Sequence, residues 1–141
     1  MCLRVINSKE PLIATEDITV YKRLQRVGKS EYQSPYRGYS YKRGQMYTSR
    51  LDKVKSNKRH HPKTYKDHNM NRMVTAVGVV DRGIHAYVSR VTAKTRSKDE
   101  AWGYDDESII TCVIPKGARY YLGDGNEIAS DKLFIGTKIK E

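Results

Sequence analysis

A run of six apolar or β-branched residues at 109–114 (IITCVI), ended by Pro115 and Gly117, constrains the fold more than any other feature. Such a short run between turn-forming residues is typical of a buried strand, because a buried helix usually needs about ten residues or more. Further short runs of this kind occur at residues 3–5, 18–21, 74–80, 84–88, 118–122 and 133–135. The pattern predicts an α+β fold that is mostly β, an antiparallel or mixed sheet with one or two short helices, one of them within residues 92–102.

The length of the chain fits one domain, so we expect residues 1–141 to fold as a single unit. No stretch approaches the roughly eighteen consecutive apolar residues of a membrane-spanning helix, which predicts no membrane partner. The only cysteines are Cys2 and Cys112, and no secretory leader pattern precedes Cys2. We therefore expect both thiols to be reduced and the protein to be cytoplasmic.

Positive charge is concentrated in one part of the sequence. Residues 22–66 contain fourteen Lys and Arg residues against Glu31 and Asp52, a balance of +12, whereas the rest of the chain has thirteen basic and fourteen acidic residues, a balance of −1. A local potential of this kind attracts anionic partners, nucleic acid first among them. The alternative interpretation is a solvated, disordered basic loop.

Tyrosines are interleaved with these cations, which favours nucleic acid because cations neutralise phosphates and Tyr rings stack on exposed bases. Strand alternation predicts that Tyr39 and Tyr41 share one face. The candidate nucleic-acid-binding residues are Arg37, Tyr39, Tyr41, Lys42, Arg43, Tyr47, Arg50, Lys58, Arg59, Lys63 and Lys66.

Residues 53–72 have no apolar period, and this predicts a long mobile basic loop. The loop contains His60, His61 and His68, with Asp67 as the nearby carboxylate. A structural zinc site needs four ligands in closed geometry, and adjacent histidines rarely bind one ion. We therefore interpret these histidines as solvated loop residues and expect no metal.

Four segments occur in an order that resembles a group of small uncharacterised proteins from phages and gut bacteria. They are YKRGQMY at 41–47, GIHAY at 83–87, IPKGARYYLG at 114–123 and EIASDKL at 127–133. The resemblance covers most of the chain outside residues 53–72 and implies no activity. A phage origin implies action in the cytoplasm of the host cell.

The order of an early Val-Tyr strand, the GIHAY strand, a helix and a late Glu is distantly similar to the ADP-ribosyltransferase fold. The resemblance implies NAD as the bound dinucleotide, with Tyr21, His85, Tyr87 and Glu127 at the functional positions. Glu127 matches the Glu that stabilises an oxocarbenium-like transition state, whereas Tyr21 stands where the family has His or Arg. The other interpretation of Glu127 is a turn carboxylate that pairs with Lys132 or Arg119, and His85 fits equally a half-buried strand residue.

Three functional hypotheses follow. The first is a small basic binding protein without cofactor that engages nucleic acid or a nucleoprotein complex, such as a phage-type inhibitor of a nucleic-acid-targeting defence. The second is an ADP-ribosyltransferase-type enzyme that uses NAD. The third is a small virion or assembly protein. Because the sequence contains no nucleophile elbow, phosphate-binding glycine loop or kinase signature, it favours a protein that is not an enzyme.

Overall fold

A computed structural model of the protein describes residues 3–34, 39–99 and 107–137. Within these ranges, antiparallel strands dominate and one helix is present, which confirms the prediction of a mostly β fold. The elements are β1 (Leu3–Ile6), β2 (Leu12–Ile13), β3 (Ile18–Gly28), β4 (Glu31–Gln33), β5 (Ser40–Lys42), β6 (Met46–Thr48), β7 (Lys63–Asp67), β8 (Arg72–Val80), β9 (Ile84–Tyr87), α1 (Arg90–Asp99), β10 (Glu107–Ile114), β11 (Arg119–Leu122), β12 (Glu127–Ser130) and β13 (Lys132–Ile135).

The larger sheet has ten strands, eight of them in the order β2-β11-β12-β9-β3-β10-β13-β6, while β4 pairs with β3 and β5. Its centre is the long antiparallel pair β3–β10, which runs in register from Ile18 opposite Ile114 to Gln25 opposite Glu107. The apolar run that dominates the sequence thus forms a strand between two neighbours. Helix α1 packs against β3, β9 and β10.

The main core lies on one face of this sheet. Alternate residues of β3 point into it, so that Val20 and Leu24 are buried with Cys112 and Ile114 of β10. Lys22 lies on the same face of β3, between these two apolar residues. The sequence therefore directs one lysine toward the interior.

A second, three-stranded sheet has the order β1-β8-β7. Leu3, Val5 and Val80 of this sheet are buried against Tyr121 and Ala129 of the larger sheet. The two sheets consequently share a second, smaller apolar cluster, which fixes β8 and its partner β7 on the outside of β11 and β12.

The prediction of a loop throughout residues 53–72 is wrong. Strand β7 occupies residues 63–67 within it and pairs with β8 in a five-residue register, and Lys55 forms an isolated bridge with Val79. Lys63, Thr64 and Lys66 are exposed, so β7 is stabilised by backbone pairing and not by an apolar face. A strand of this kind has no apolar period for the sequence to display.

Other elements differ in extent from their predicted bounds. Strand β3 continues to Gly28, and α1 begins at Arg90. Strand β12 was not predicted, because Ile128 stands alone among short or polar residues (EIAS) and forms no apolar run. Ser130 of this strand is fully buried and donates to the carbonyl of Lys132 at 2.9 Å. No helix in the described ranges is long and apolar enough to cross a membrane.

Of the two cysteines, Cys2 lies outside the described residues. Cys112 is fully buried and carries a free thiol, whose Sγ lies 3.5 Å from the carbonyl oxygen of Ile110. Burial raises the pKa of Cys112 to about 11. The thiol therefore behaves as a small apolar core group.

Candidate functional site

The candidate site is a cleft of about 550 Å³ beside the junction of β3 and β9. These strands are neighbours in the sheet but pair through one residue of each, Tyr21 opposite Tyr87. Residues of β3, β5, β6, β9 and the first residue of β12 line the cleft. Its volume is in the range of pockets that bind small organic ligands.

Lys22 supplies a buried cation to this cleft. It is 9% exposed, and its Nζ donates to the backbone carbonyl of His85 at 2.7 Å and lies 5.3 Å from the ring centroid of Tyr41. Within the part of the chain that the structure describes, no carboxylate forms an ion pair with Lys22. Burial lowers the pKa of Lys22 to about 8, and the positive charge of Arg23 acts in the same direction.

Other charged side chains line the same cleft. Arg23, which is 7% exposed, and Arg82 add positive charge to the lining, whereas Asp81 and Glu127 add negative charge. A buried cation costs several kcal/mol of desolvation unless an anion compensates it. Such groups are concentrated at functional sites, where a ligand supplies the missing charge.

Aromatic and hydroxyl groups form the mouth of the cleft. Tyr39 is 56% exposed and Tyr47 is half-buried. The Ser and Thr residues of the lining are Ser34, Ser40, Thr48 and Ser49. Tyr rings suit stacking on a flat ring, and hydroxyl groups donate to phosphate oxygens and both donate to and accept from sugar hydroxyls. The cleft thus combines cations, ring faces and hydroxyl groups.

Tyr39 and Tyr41, which the sequence placed on one face, both line the cleft but differ in exposure. Tyr41 is 8% exposed, packs edge-on against Tyr47 with ring centroids 4.9 Å apart, and belongs to the main core. Burial raises the pKa of Tyr41 to about 12. Its assignment as a base-stacking residue on the outer surface is wrong, because its ring is covered. The hydroxyl of Tyr47 accepts from the backbone N–H of Lys42 at 2.6 Å.

Arg43 is held by an internal contact. Its Nη2 donates to the hydroxyl of Tyr32 at 2.8 Å, and its guanidinium carbon lies 5.7 Å from the centroid of the same ring. Tyr32 itself is 5% exposed. Arg43 therefore covers a core tyrosine and has less freedom to bind a phosphate than its sequence position indicates.

The remaining predicted cations are exposed but do not belong to one strand or one sheet. Lys42 lies on β5 of the larger sheet, and Lys63 and Lys66 lie on β7 of the smaller one. The segment that connects β6 with β7 contributes the exposed residues Arg50, Lys58 and Arg59. Arg50 Nε lies 3.6 Å from Asp52 Oδ1, and Lys42 Nζ lies 4.0 Å from Glu31 Oε1. Arg37 lies outside the described residues.

The four residues of the ADP-ribosyltransferase hypothesis lie on adjacent strands. Tyr87 is opposite Tyr21 on one side and opposite Glu127 on the other. His85, Tyr87 and Glu127 all line the cleft, and His85 Nε2 lies 3.2 Å from the carbonyl oxygen of Asp81. The register therefore brings three of the four residues to the same cavity.

Sequence reasoning did not select Lys22, Arg23 or Arg82 as site residues. The signal for Lys22 is visible in the alternation of β3, where a lysine stands between two inward-pointing apolar residues. Arg82 follows a turn in the charge-balanced part of the chain, where no local pattern marks it.

In the described ranges, no group of three or more His, Cys, Asp or Glu side chains is placed to hold a metal ion. Comparison of the chain with protein-family models, with curated proteins and with solved structures finds no match.

Proposed function

We propose that the protein binds nucleic acid and that Lys22 binds a phosphate group inside the cleft. The observation that supports this most directly is a nine-tenths buried ammonium at the wall of a Tyr-lined cavity, with no carboxylate in ion-pair contact among the described residues. An ammonium has three N–H donors, and the structure assigns one of them to the carbonyl of His85. A phosphate oxygen fits the remaining donors and compensates the buried charge.

The aromatic mouth of the cleft fits the rest of a nucleotide. Tyr39 lines the cleft and is 56% exposed, so its ring is accessible to a base. The exposed cations of residues 42–66 add contacts that carry no sequence information, because phosphates are the same at every position. The combination favours nucleic acid over an anion without a ring system.

Fluorescence anisotropy with a labelled single-stranded oligonucleotide, repeated across a salt series, tests the proposal. We expect the logarithm of the binding constant to fall linearly with the logarithm of salt concentration, because each neutralised phosphate releases counterions. Lys22→Met should abolish most of the binding, whereas Lys116→Glu, a change at an exposed lysine outside the cleft lining, should have a small effect. Affinity that is independent of salt, or equal in wild type and Lys22→Met, would refute the proposal.

ADP-ribosyl transfer from NAD is the second candidate, supported by the convergence of His85, Tyr87 and Glu127 on the cleft. In this hypothesis the Glu127 carboxylate stabilises positive charge that develops on the ribose, and Tyr87 packs against the dinucleotide. Nicotinamide release in the presence of protein and RNA acceptors tests it, with Glu127→Gln as the inactive control. Absence of both turnover and an NAD-dependent increase in melting temperature would exclude it.

A further inference from the structure

A second cleft of about 600 Å³ lies beside the first, and Ser49 lines both. Ser49 directly follows β6, and its backbone N–H donates to the carbonyl of Asp131 at 2.8 Å, which fixes the boundary between the clefts. The two cavities therefore adjoin at Ser49, a residue held by the backbone.

The second cleft is rich in cations. Its lining includes the basic residues Lys9, Arg50, Lys53 and Arg119, all of which are exposed. The carboxylates of the lining are Glu10 and Asp131, and Asp131 Oδ1 already accepts from the backbone N–H of Arg119 at 3.0 Å. Asp52 lies beside Arg50, and its carboxylate partly compensates the positive charge of this arginine. The lining still carries four cations against two carboxylates, an excess of two positive charges.

We propose that the two clefts form one binding track for a single strand, with one nucleotide in the Lys22 cleft and the following phosphates along the second cleft. This inference rests on the proposed nucleic-acid binding and specifies the form of the nucleic acid. Each cleft has the volume of a nucleotide-sized ligand, so the track spans on the order of two nucleotides.

Burial of Lys22 excludes a duplex from the first cleft. A phosphate within a base-paired helix is flanked by its neighbours on a rigid backbone. Such a phosphate cannot reach the side chain of Lys22, which is only 9% exposed. Contact therefore requires a nucleotide that leaves the stack, and in a single strand this costs little. The track consequently favours single-stranded over double-stranded nucleic acid.

The test compares a thymidine mononucleotide carrying a 5′-phosphate, an oligothymidine of about ten nucleotides, and a duplex containing the same strand. The oligothymidine should bind about tenfold or more tightly than the duplex. Arg119→Glu and, independently, Lys53→Glu should weaken oligothymidine binding about tenfold and reduce the salt slope, without changing mononucleotide affinity. Lys22→Met should weaken both ligands, and Lys116→Glu should change neither.

The outcomes separate this inference from the proposed function. If duplex and single strand bind equally, or if Arg119→Glu and Lys53→Glu leave oligothymidine affinity unchanged, the track is wrong, although salt-dependent binding remains. If none of the three ligands binds in a salt-dependent manner, the nucleic-acid proposal fails and the track fails with it. Circular dichroism and the melting temperature of each variant exclude loss of the fold as the cause.

Discussion

The ammonium of Lys22 lies 2.7 Å from the backbone carbonyl of His85, across the junction where β3 and β9 pair through Tyr21 and Tyr87. A side chain thus provides a cross-strand contact where the backbone ladder is interrupted. Lys22 is nine-tenths buried and lines the cleft, so its charge state affects the fold and, in the proposed function, the binding of an anion.

Lys22→Met is expected to stabilise the free protein and to abolish ligand binding. The substitution removes a buried charge while retaining a side chain of similar length, and the expected gain in the free energy of unfolding at pH 7 is about 1–3 kcal/mol. Urea denaturation of wild type and variant measures it. A less stable variant would mean that the hydrogen bond to His85 outweighs the desolvation of the ammonium.

Affinity for the oligothymidine strand should decrease as the pH rises above 8. Because the pKa of Lys22 is about 8 and phosphodiesters keep their charge in this range, binding must take up a proton once the lysine is neutral. We expect a loss of about tenfold per pH unit between pH 8.5 and 9.5, measured by anisotropy at constant ionic strength. The buried neighbours Tyr41 and Cys112 have pKa values of about 12 and 11 and stay neutral there. A flat profile would exclude Lys22 as the phosphate-binding group.

Stability of the free protein should follow a different pH profile. Between pH 8 and 9 the folded chain binds fewer protons than the unfolded chain, because the pKa of Lys22 falls from 10.5 to about 8 on folding, so stability rises with pH. Above pH 9 the raised pKa of Cys112, and above pH 10 that of Tyr41, act in the opposite direction. We expect the free energy of unfolding to rise, level off near pH 9 to 10 and then fall. In Lys22→Met the initial rise should be absent.

Arg43 should contribute to stability through Tyr32. A double-mutant cycle with Arg43→Ala and Tyr32→Phe should give a coupling energy of about 1 kcal/mol, because Phe retains the ring of the cation–π contact but cannot accept the hydrogen bond from Arg43. Lys42→Ala is the matched control and should change stability by less than about 0.5 kcal/mol, since its pair with Glu31 is exposed. If Arg43→Ala has normal stability but binds the oligonucleotide more weakly, Arg43 belongs to the binding surface.

Asp67 should be among the most sensitive polar positions. Its carboxylate is 7% exposed and accepts from the backbone N–H groups of Asn69 at 2.9 Å, Met70 at 3.1 Å and Gly125. Asp67→Ala leaves these donors without their acceptor and should cost about 3 kcal/mol or more, measured by chemical denaturation. The control is Asp17→Ala, which removes one exposed hydrogen bond to the N–H of Lys116 and should cost under about 1 kcal/mol.

The strands that the sequence predicted share one property, an apolar or β-branched run. Strand β10 is the clearest example, because it is paired on both edges and its residues Ile110, Cys112 and Ile114 are buried in the main core. Strands β7 and β12 lack such runs. The first is stabilised by pairing with β8 and the second by its position between β9 and β11, and both causes are long-range. Local patterns carry no information about them.

The candidate site also depends on long-range contacts that local sequence patterns do not show. His85, Tyr87 and Glu127 were selected from the sequence, and the register of β9 with β12 brings them to one cleft. Charge density along the chain, by contrast, did not predict which cations share a surface, because residues 22–66 are divided between two sheets. Arg82 and Arg119 reach the clefts from the charge-balanced part of the chain through folding alone.

The junction of β3 and β9 has a consequence for how the protein responds to a ligand. Backbone pairing between these strands is limited to Tyr21 and Tyr87, and the Lys22 contact adds to it, so in the proposed function an anion that redirects the ammonium should weaken their attachment. Occupancy of the cavity and local opening of the sheet should then be thermodynamically linked, and the protection of β9 amides against hydrogen exchange should change with ligand concentration. We expect a cavity with so short a ladder in its wall to adjust its width to its contents, as a rigid, fully laddered wall does not.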